Sequence, residues 1–241
     1  MSYTVKTNGR LCNQIIRNLS LSLLAKKYDL YVEYSNFDNI NNKLGIKLFV
    51  GKNKYKSTKR IYDSTYLKYL NSDMNIDYNL NLNKAYFQRG DITTILHSHL
   101  KSQKLDIINK NPHKNRYNNN NDLFLHIRLT DVKQFNIGIE YYIKCINLNK
   151  YDNIYIGSDD FNHNIIKKIK SLYSNVILFE KDAIDTIQFG STCKNIILSH
   201  GSFSAVIGYL AFYSNVYFPN VDPKWCPLSM FLNKNFIPIN V

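Results

Sequence analysis

Glycine, proline, cysteine and tryptophan are scarce in this chain of 241 residues, which contains nine, five, four and one of them respectively. So few glycines and prolines argue against sequence repeats, collagen-like tracts and a long flexible linker. The four cysteines are far apart and form no CxxC pair, which argues against zinc and thioredoxin-type sites. A disulfide framework is not expected in a chain of this length, so we predict buried thiols in a reducing compartment.

Several motifs with well-understood chemistry are also missing, namely GxxxxGK[ST], HExxH and GxSxG. Their absence argues against the common NTPase, zincin and α/β-hydrolase classes. The first residues, MSYTVKTNGR, lack the apolar core of a secretory signal, and the apolar run from Leu19 to Ala25 is too short to span a bilayer. We therefore expect a soluble, cytoplasmic protein.

What the chain does contain is apolar side chains and positive charge. Hydrophobic residues make up 44% and aromatic residues 14% of the sequence, which is typical of a globular protein. Lys and Arg number 31 against 18 Asp and Glu, a net charge of +13. Three explanations of this positive charge stay open: codon drift towards Lys and Asn, binding of an anionic small substrate, or binding of nucleic acid. Peripheral contact with an anionic membrane is a further expectation.

Strand-like and helix-like segments alternate along most of the chain. Near the start, an extended run at Tyr3, a helical pattern from Asn13 to Lys27 and a strand at Leu30–Tyr34 predict a βαβ unit. In the second half, apolar runs alternate with amphipathic stretches, which predicts a parallel, doubly wound sheet with right-handed crossovers. The predicted strands are 123–127, 154–156, 176–179, 195–198 and 216–218.

The stretch 109–121 has almost no apolar side chain and is predicted to be an exposed linker. We therefore expect two Rossmann-like halves, residues 1–118 and 119–241, with the N-terminal half reduced; the resemblance described below implies that they are the acceptor-side and the nucleotide-sugar-binding half respectively. The fold class that follows is α/β.

Ligands of doubly wound sheets bind beyond the carboxyl ends of the strands, which directs attention to three polar segments after predicted strands. These are 128–131, 158–160 and 199–204. The guanidinium of Arg128 can clamp a diphosphate bidentately, or it can pair with Asp131 to hold a loop. The Ser-rich turn runs straight into a helix, where its amides and hydroxyls can either bind phosphate or act as an ordinary cap.

Three other features are weaker. Gly9 to Gln14 form another strand-to-helix turn, in which glycine permits close backbone approach. Asp159 and Asp160 are adjacent, so their side chains diverge and only one is expected to face the crevice. His97 and His99 lack a carboxylate at metal-ligand spacing, and no metal site is predicted.

Read together, these segments resemble the motifs of the α-1,2-fucosyltransferases, glycosyltransferase family 11, with some similarity to the protein O-fucosyltransferases. GRLCNQ resembles the opening GxLGNQ motif, AYFQ a short YFQ element, LHIRLTD the HxRRxD signature, and YIGSDD the strand end FSDD. The stretch from Asp185 to Ala211 is similar to one that ends in NSTFSWW. The matches occur in the family's order and span nearly the whole chain.

The resemblance implies a GT-B-like, inverting enzyme that moves fucose from GDP-fucose to a glycan hydroxyl, α-1,2 to galactose, without metal or other cofactor. It implies that Arg128, Asp131 and Asn13 are catalytic, Asp131 being the nearest carboxylate for a base. The donor-binding residues it implies are His126, Arg128, Asp159, Asp185, Ser202, Phe203, Ser204, Gly9 and Arg10. The partners expected are GDP-fucose and a glycan, with no nucleic acid; the oligomeric state and the acceptor stay open.

The chain departs from the family pattern at several positions. Leu129 replaces the second arginine of HxRRxD, Thr130 its usual glycine, and Cys12 the glycine of GxLGNQ. Two alternatives therefore stay open: a transferase for another nucleotide sugar, such as GDP-mannose or dTDP-rhamnose, and a degenerate relative that binds a glycan without catalysis.

Overall fold

The computed structural model describes residues 1–4, 9–82, 84–130 and 136–241. The chain divides into two compact units, Met1–Lys110 and Asn111–Val241. Each has its own parallel sheet, of four and six strands respectively, which confirms the predicted α/β class.

The first unit contains a small parallel sheet. Its strands are β1 (Ser2–Tyr3), β2 (Val32–Glu33), β3 (Thr58–Arg60) and β4 (Asn79–Asn81), in the order β2-β1-β4-β3. Its helices are α1 (Leu11–Tyr28), α2 (Tyr66–Asn71), α3 (Gly90–Ser102) and α4 (Lys104–Lys110), with a π-helical turn at Asp38–Lys43. The sequence predicted β1, α1 and β2 but not β3 and β4, which lie in an Asn- and Lys-rich region without a sustained hydrophobic period.

Helix α1 is buried along most of its length and carries a buried cation. The Arg17 side chain is 0% exposed. Its Nε donates to the Ala85 carbonyl at 2.9 Å, and its Nη2 donates to the Leu82 carbonyl at 2.7 Å. These bonds satisfy carbonyls outside any regular element, and they fix the segment that starts at Ala85 against α1.

The second unit is a six-stranded parallel sheet flanked by helices. Its strands are β5 (Leu123–Ile127), β6 (Ile154–Ser158), β7 (Val176–Leu178), β8 (Asn195–Ile197), β9 (Asn215–Pro219) and β10 (Ile237–Ile239). Its helices are α5 (Ile139–Ile146), α6 (Asn164–Leu172), α7 (Ala183–Gly190) and α8 (Ser202–Leu210), with 3-10 turns at Lys114–Arg116 and Leu228–Met230. The predicted doubly wound arrangement is confirmed; β10 was not predicted.

The strand order of this sheet is β10-β9-β8-β5-β6-β7. The chain runs outward from β5 to β7, returns, and then runs outward the other way from β8 to β10. The order therefore reverses between β5 and β8, which pair in parallel with Leu123 opposite Asn195 and Leu125 opposite Ile197. Every residue of β5 is buried, because helices cover both faces of a central parallel strand.

Most residues of the stretch predicted to be an exposed linker are exposed, but some of its side chains pack on the second unit. Asn111 is buried, and its side chain donates to the Gln188 carbonyl at 2.9 Å. Arg116 bonds Asp122 at 2.8 Å, with its guanidinium 4.4 Å from the Phe189 ring centre. These two polar side chains bond to groups of the second unit, which composition alone does not reveal.

The four cysteines are free and buried, as predicted. Within the described part of the chain, no helix is both long enough and apolar enough to cross a membrane.

Candidate functional site

The candidate site lies where the sheet order of the second unit reverses. Strands β5 and β8 end side by side, so the segment that begins at Arg128 and the segment that begins at Leu198 leave the sheet at the same edge. Crevices at such reversal points are the usual ligand sites of open α/β sheets.

A buried cluster of His126, Ser199 and Ser204 joins the two segments. His126 Nδ1 is 2.6 Å from Ser204 Oγ and 3.1 Å from Ser199 Oγ, and the two hydroxyls are 3.0 Å apart. The Phe203 ring stacks on the imidazole at 4.9 Å. Burial, followed by the nearby Arg128 charge, lowers the pKa of His126 to about 4, so the ring is neutral at pH 7.

Arg128 follows β5 directly and is half-buried at the sheet edge. Its guanidinium carbon lies 5.6 Å from the Trp225 ring centre, a cation–π distance. Arg128, Ser199, His200 and Trp225 line a small cleft of about 10 Å³. The structure thus brings together Arg128 and the turn after β8, as the strand-end rule predicted.

The segment after Arg128 is held by a carboxylate from the neighbouring strand end. Asp159 Oδ1 accepts from the Leu129 amide at 2.7 Å, and Oδ2 accepts from the Thr130 hydroxyl at 2.5 Å and the Thr130 amide at 3.3 Å. Partial burial raises the pKa of Asp159, but these hydrogen bonds outweigh burial and the net pKa is lowered. Asp159 therefore anchors the loop next to Arg128.

Helix α8 begins at Ser202, and its N-cap residue is Gly201, which makes no side-chain capping hydrogen bond. The Ser-cap interpretation is therefore wrong, because the Ser199 and Ser204 hydroxyls bond His126 instead. Gly201 has φ +103°, and a Cβ there would lie 2.7 Å from Trp225 Cη2. Glycine is required at this position both by its backbone conformation and by the indole packed against it.

A larger hollow of about 340 Å³ lies beside the cleft. Residues 136–137, His200, residues 221–224 and Val241 line it. Asn136, Ile137 and His200 also line the cleft, so the two spaces share part of their wall.

The first unit positions the other predicted donor-binding residues. Gly9 and Arg10 directly precede α1, and Gly9 has φ +88°. Asn13 Oδ1 accepts from Gln88 Nε2 at 2.7 Å, and Gln14 Nε2 donates to the Gly9 carbonyl at 2.8 Å. Two separate sequence elements, GRLCNQ and AYFQ, therefore meet through one amide–amide hydrogen bond.

Some predicted residues are not gathered into the cleft. Of the predicted site residues that the structure describes, Arg128 alone lines the cleft. The others line neither of the two hollows: Gly9, Arg10, Asn13, His126, Asp159, Asp185, Ser202, Phe203 and Ser204. The Asp185 amide donates to Asp182 at the start of α7. Asp131 lies outside the described residues, so its predicted role as base stays a prediction.

Sequence reasoning assigned no role to Trp225, His200 or Asn136, which line the cleft. Trp225 is the one tryptophan of the chain, and that rarity was the only available signal. Among the described residues, no group of three or more His, Cys, Asp and Glu side chains is placed to hold a metal ion.

Two parallel α/β units of this kind define a GT-B-like fold, which solved structures share. The selenomethionine form of the fucosyltransferase NodZ from Bradyrhizobium superposes with a TM-score of 0.57 at 6% identity, covering 90% of this chain and 94% of that one. NodZ α-1,6-fucosyltransferase co-crystallised with GDP gives 0.56 at 7% identity, covering 90% and 94%. The same enzyme soaked with GDP-fucose gives 0.53 at 8% identity, covering 87% and 92%.

No family model matches this sequence, and no curated protein matches it. At identities this low, the likeness to NodZ establishes a common fold.

Proposed function

We propose that this chain is a fucosyltransferase that uses GDP-fucose as donor. The observation that carries the proposal is the meeting of Arg128 and the buried His126–Ser199–Ser204 cluster at the edge where the sheet order reverses. Two further facts support it: the family-like motifs occur in order, and the NodZ structures of similar fold were obtained with GDP or GDP-fucose.

Donor binding is assigned mainly to the second unit. Arg128 contributes a fixed fork of N–H groups to the diphosphate, because Trp225 and the Asp159-anchored loop restrain its position. The uncapped start of α8 offers backbone amides and the positive end of the helix dipole to the same phosphates. We also propose that Asp185 contacts the guanine. The first unit is proposed to contribute Gly9, Arg10 and Asn13 as donor contacts.

The chemistry proposed is inverting transfer without a metal. The C1–O bond of the donor breaks, GDP leaves with the electron pair, and the acceptor oxygen bonds C1 as its proton passes to a base. Arg128 and the α8 amides stabilise the negative charge that grows on the diphosphate. Asp131 is proposed as that base, and an assay with EDTA tests the metal independence: activity should be unchanged.

The acceptor and linkage are proposed from the resemblance alone. The motifs favour α-1,2 transfer to galactose, whereas the NodZ enzymes of similar fold are α-1,6-fucosyltransferases. An NMR spectrum of the fucosylated product decides between the two linkages.

A thermal-shift panel tests the donor. GDP and GDP-fucose should stabilise the protein, by about 2.7 kcal/mol at a hundred times Kd, whereas UDP and dTDP should not. Stabilisation by dTDP instead would favour a dTDP-rhamnose transferase, and a preference for GDP-mannose over GDP-fucose would favour a mannosyltransferase. GDP-fucose hydrolysis without acceptor separates an active enzyme from a degenerate relative.

Arg128→Lys tests the diphosphate clamp. Lysine keeps the positive charge but loses the bidentate fork, so we expect kcat to fall roughly 10²–10³-fold. Arg60→Lys, the same change at an exposed strand residue, is the matched control and should leave kcat unchanged. A near-normal kcat in Arg128→Lys would show that Arg128 does not clamp the diphosphate.

A further inference from the structure

Two residues that line the cleft beside Arg128 each carry a buried polar atom without a hydrogen-bond partner among the described residues. The two atoms are His200 Nδ1 and Trp225 Nε1. Burying an unpaired polar atom destabilises a fold, and such atoms are rare in folded proteins. Their occurrence in one cleft therefore points to a ligand that pairs with both.

The hydrogen bond made by the other ring nitrogen sets the character of His200. Nε2 donates to the Pro219 carbonyl at 3.2 Å, which assigns the proton to Nε2 and leaves a lone pair on Nδ1. Burial lowers the pKa of this ring, although the carbonyls of Pro219 and Val221 and the Asp222 carboxylate oppose that shift. The residue is only 3% exposed, so Nδ1 is a buried acceptor on a ring that lines both hollows.

Trp225 supplies the opposite group. An indole Nε1–H can only donate. The ring is fixed by Arg128 on one side and by Gly201, where any Cβ would come within 2.7 Å of it. A fixed donor and a fixed acceptor match hydroxyl groups, since each hydroxyl can both donate and accept.

We propose that His200 Nδ1 and Trp225 Nε1 bind hydroxyl groups of the sugar carried by the donor, at the cleft lined by Arg128, from which the sugar extends into the adjoining hollow of about 340 Å³. The inference rests on the proposed function, because it takes Arg128 as the diphosphate contact. The pair then distinguishes a nucleotide sugar from the bare nucleotide, and it selects among sugars by the placement of their hydroxyls.

Calorimetric titration of the full-length protein with GDP and with GDP-fucose tests this assignment. His200→Gln keeps an amide donor near the Nε2 position and removes the Nδ1 acceptor, while Trp225→Phe removes only the N–H and part of the ring. Each should weaken GDP-fucose binding about five- to tenfold relative to GDP binding. His200→Gln should leave GDP binding itself unchanged, whereas Trp225→Phe is judged by the ratio of the two affinities, because the Trp225 ring also contacts Arg128. His200→Asn, which restores an acceptor near the Nδ1 position, should recover much of the preference for GDP-fucose.

The outcomes are distinguishable. Retained GDP affinity shows that each variant is folded. If the wild-type protein binds GDP but the ratio of GDP-fucose to GDP affinity does not change in His200→Gln and Trp225→Phe, the sugar site is overturned and the proposed function stands. If the wild-type protein binds neither GDP nor GDP-fucose, the sugar site and the proposed function are both wrong.

A titration with galactose in the presence of GDP separates the two sources of a sugar hydroxyl. If galactose affinity depends on Trp225 while GDP-fucose affinity does not, the pair binds the acceptor, and its assignment to the donor sugar is wrong.

Discussion

His126 lies inside the second unit, where two serine hydroxyls bond its Nδ1 and Phe203 covers its face. Its ring is neutral because burial disfavours the charged form. The histidine therefore serves to hold the turn after β8 against β5, and it does so best when it is unprotonated.

This neutral histidine predicts a pH dependence of stability. The ring protonates near 6.5 in the unfolded chain but at about 4 in the folded one. Its contribution is therefore complete above pH 6.5 and is lost as the pH falls towards 4, roughly 3 kcal/mol in all at 1.36 kcal/mol per pH unit. In urea unfolding, the wild-type protein should lose about 2 kcal/mol more than His126→Asn between pH 7 and pH 5.

Between pH 8 and pH 7 the two proteins should change in parallel, which is the control. Equal losses between pH 7 and pH 5 would contradict the neutral, buried state of His126.

At the scale of elements, the end of β6 controls the segment that follows β5. Asp159 accepts hydrogen bonds from two consecutive residues, Leu129 and Thr130, and so fixes the backbone directly after Arg128. This contact explains why an acidic residue stands at position 159, and the explanation does not require Asp159 to touch the donor.

Asp159→Asn tests the anchoring contact. The amide offers one acceptor oxygen instead of two, so we expect about tenfold weaker GDP binding and roughly 1 kcal/mol lower stability. Asp160→Asn makes the same charge change at the neighbouring position, where the carboxylate accepts from the Asn162 amide, and it should keep GDP affinity. Equal losses in both variants would indicate a net-charge effect rather than loop anchoring.

At the scale of the whole molecule, the net charge of +13 raises the question of nucleic acid. The stretch Lys52–Arg60 is largely exposed. Tyrosine rings near it are covered by lysines, with Lys54 Nζ 3.6 Å from the Tyr31 ring centre and Lys59 Nζ 4.2 Å from that of Tyr78. Covered rings do not offer the open stacking faces on which single-stranded nucleic acids bind.

We therefore expect a single-stranded DNA oligonucleotide to bind no more tightly than about 1 μM at 150 mM salt, the range of non-specific contacts. GDP binding should persist under these conditions. Fluorescence anisotropy over a salt series measures both, and a Lys52→Gln, Lys56→Gln double variant should weaken DNA binding alone. Nanomolar DNA affinity with a steep salt slope would revive the nucleic-acid explanation of the charge.

Elements with a strong hydrophobic period could be predicted from the amino-acid sequence. The apolar run of β5 and the alternation that follows it predicted the parallel sheet, and the strand-end rule then predicted that Arg128 would meet the turn after β8. Short, polar strands such as β3 and β4 carry no such period, because side chains and neighbouring strands rather than local pattern stabilise them.

The hydrogen-bond partners of the polar side chains, in contrast, depend on the folded arrangement of the whole chain. Asp159 bonds the loop after Arg128, the two serines bond His126 rather than cap α8, and Trp225 packs on Arg128 and Gly201. These contacts join residues far apart in sequence. Local propensity cannot specify them, since each depends on the register of strands that pair only when the whole sheet has formed.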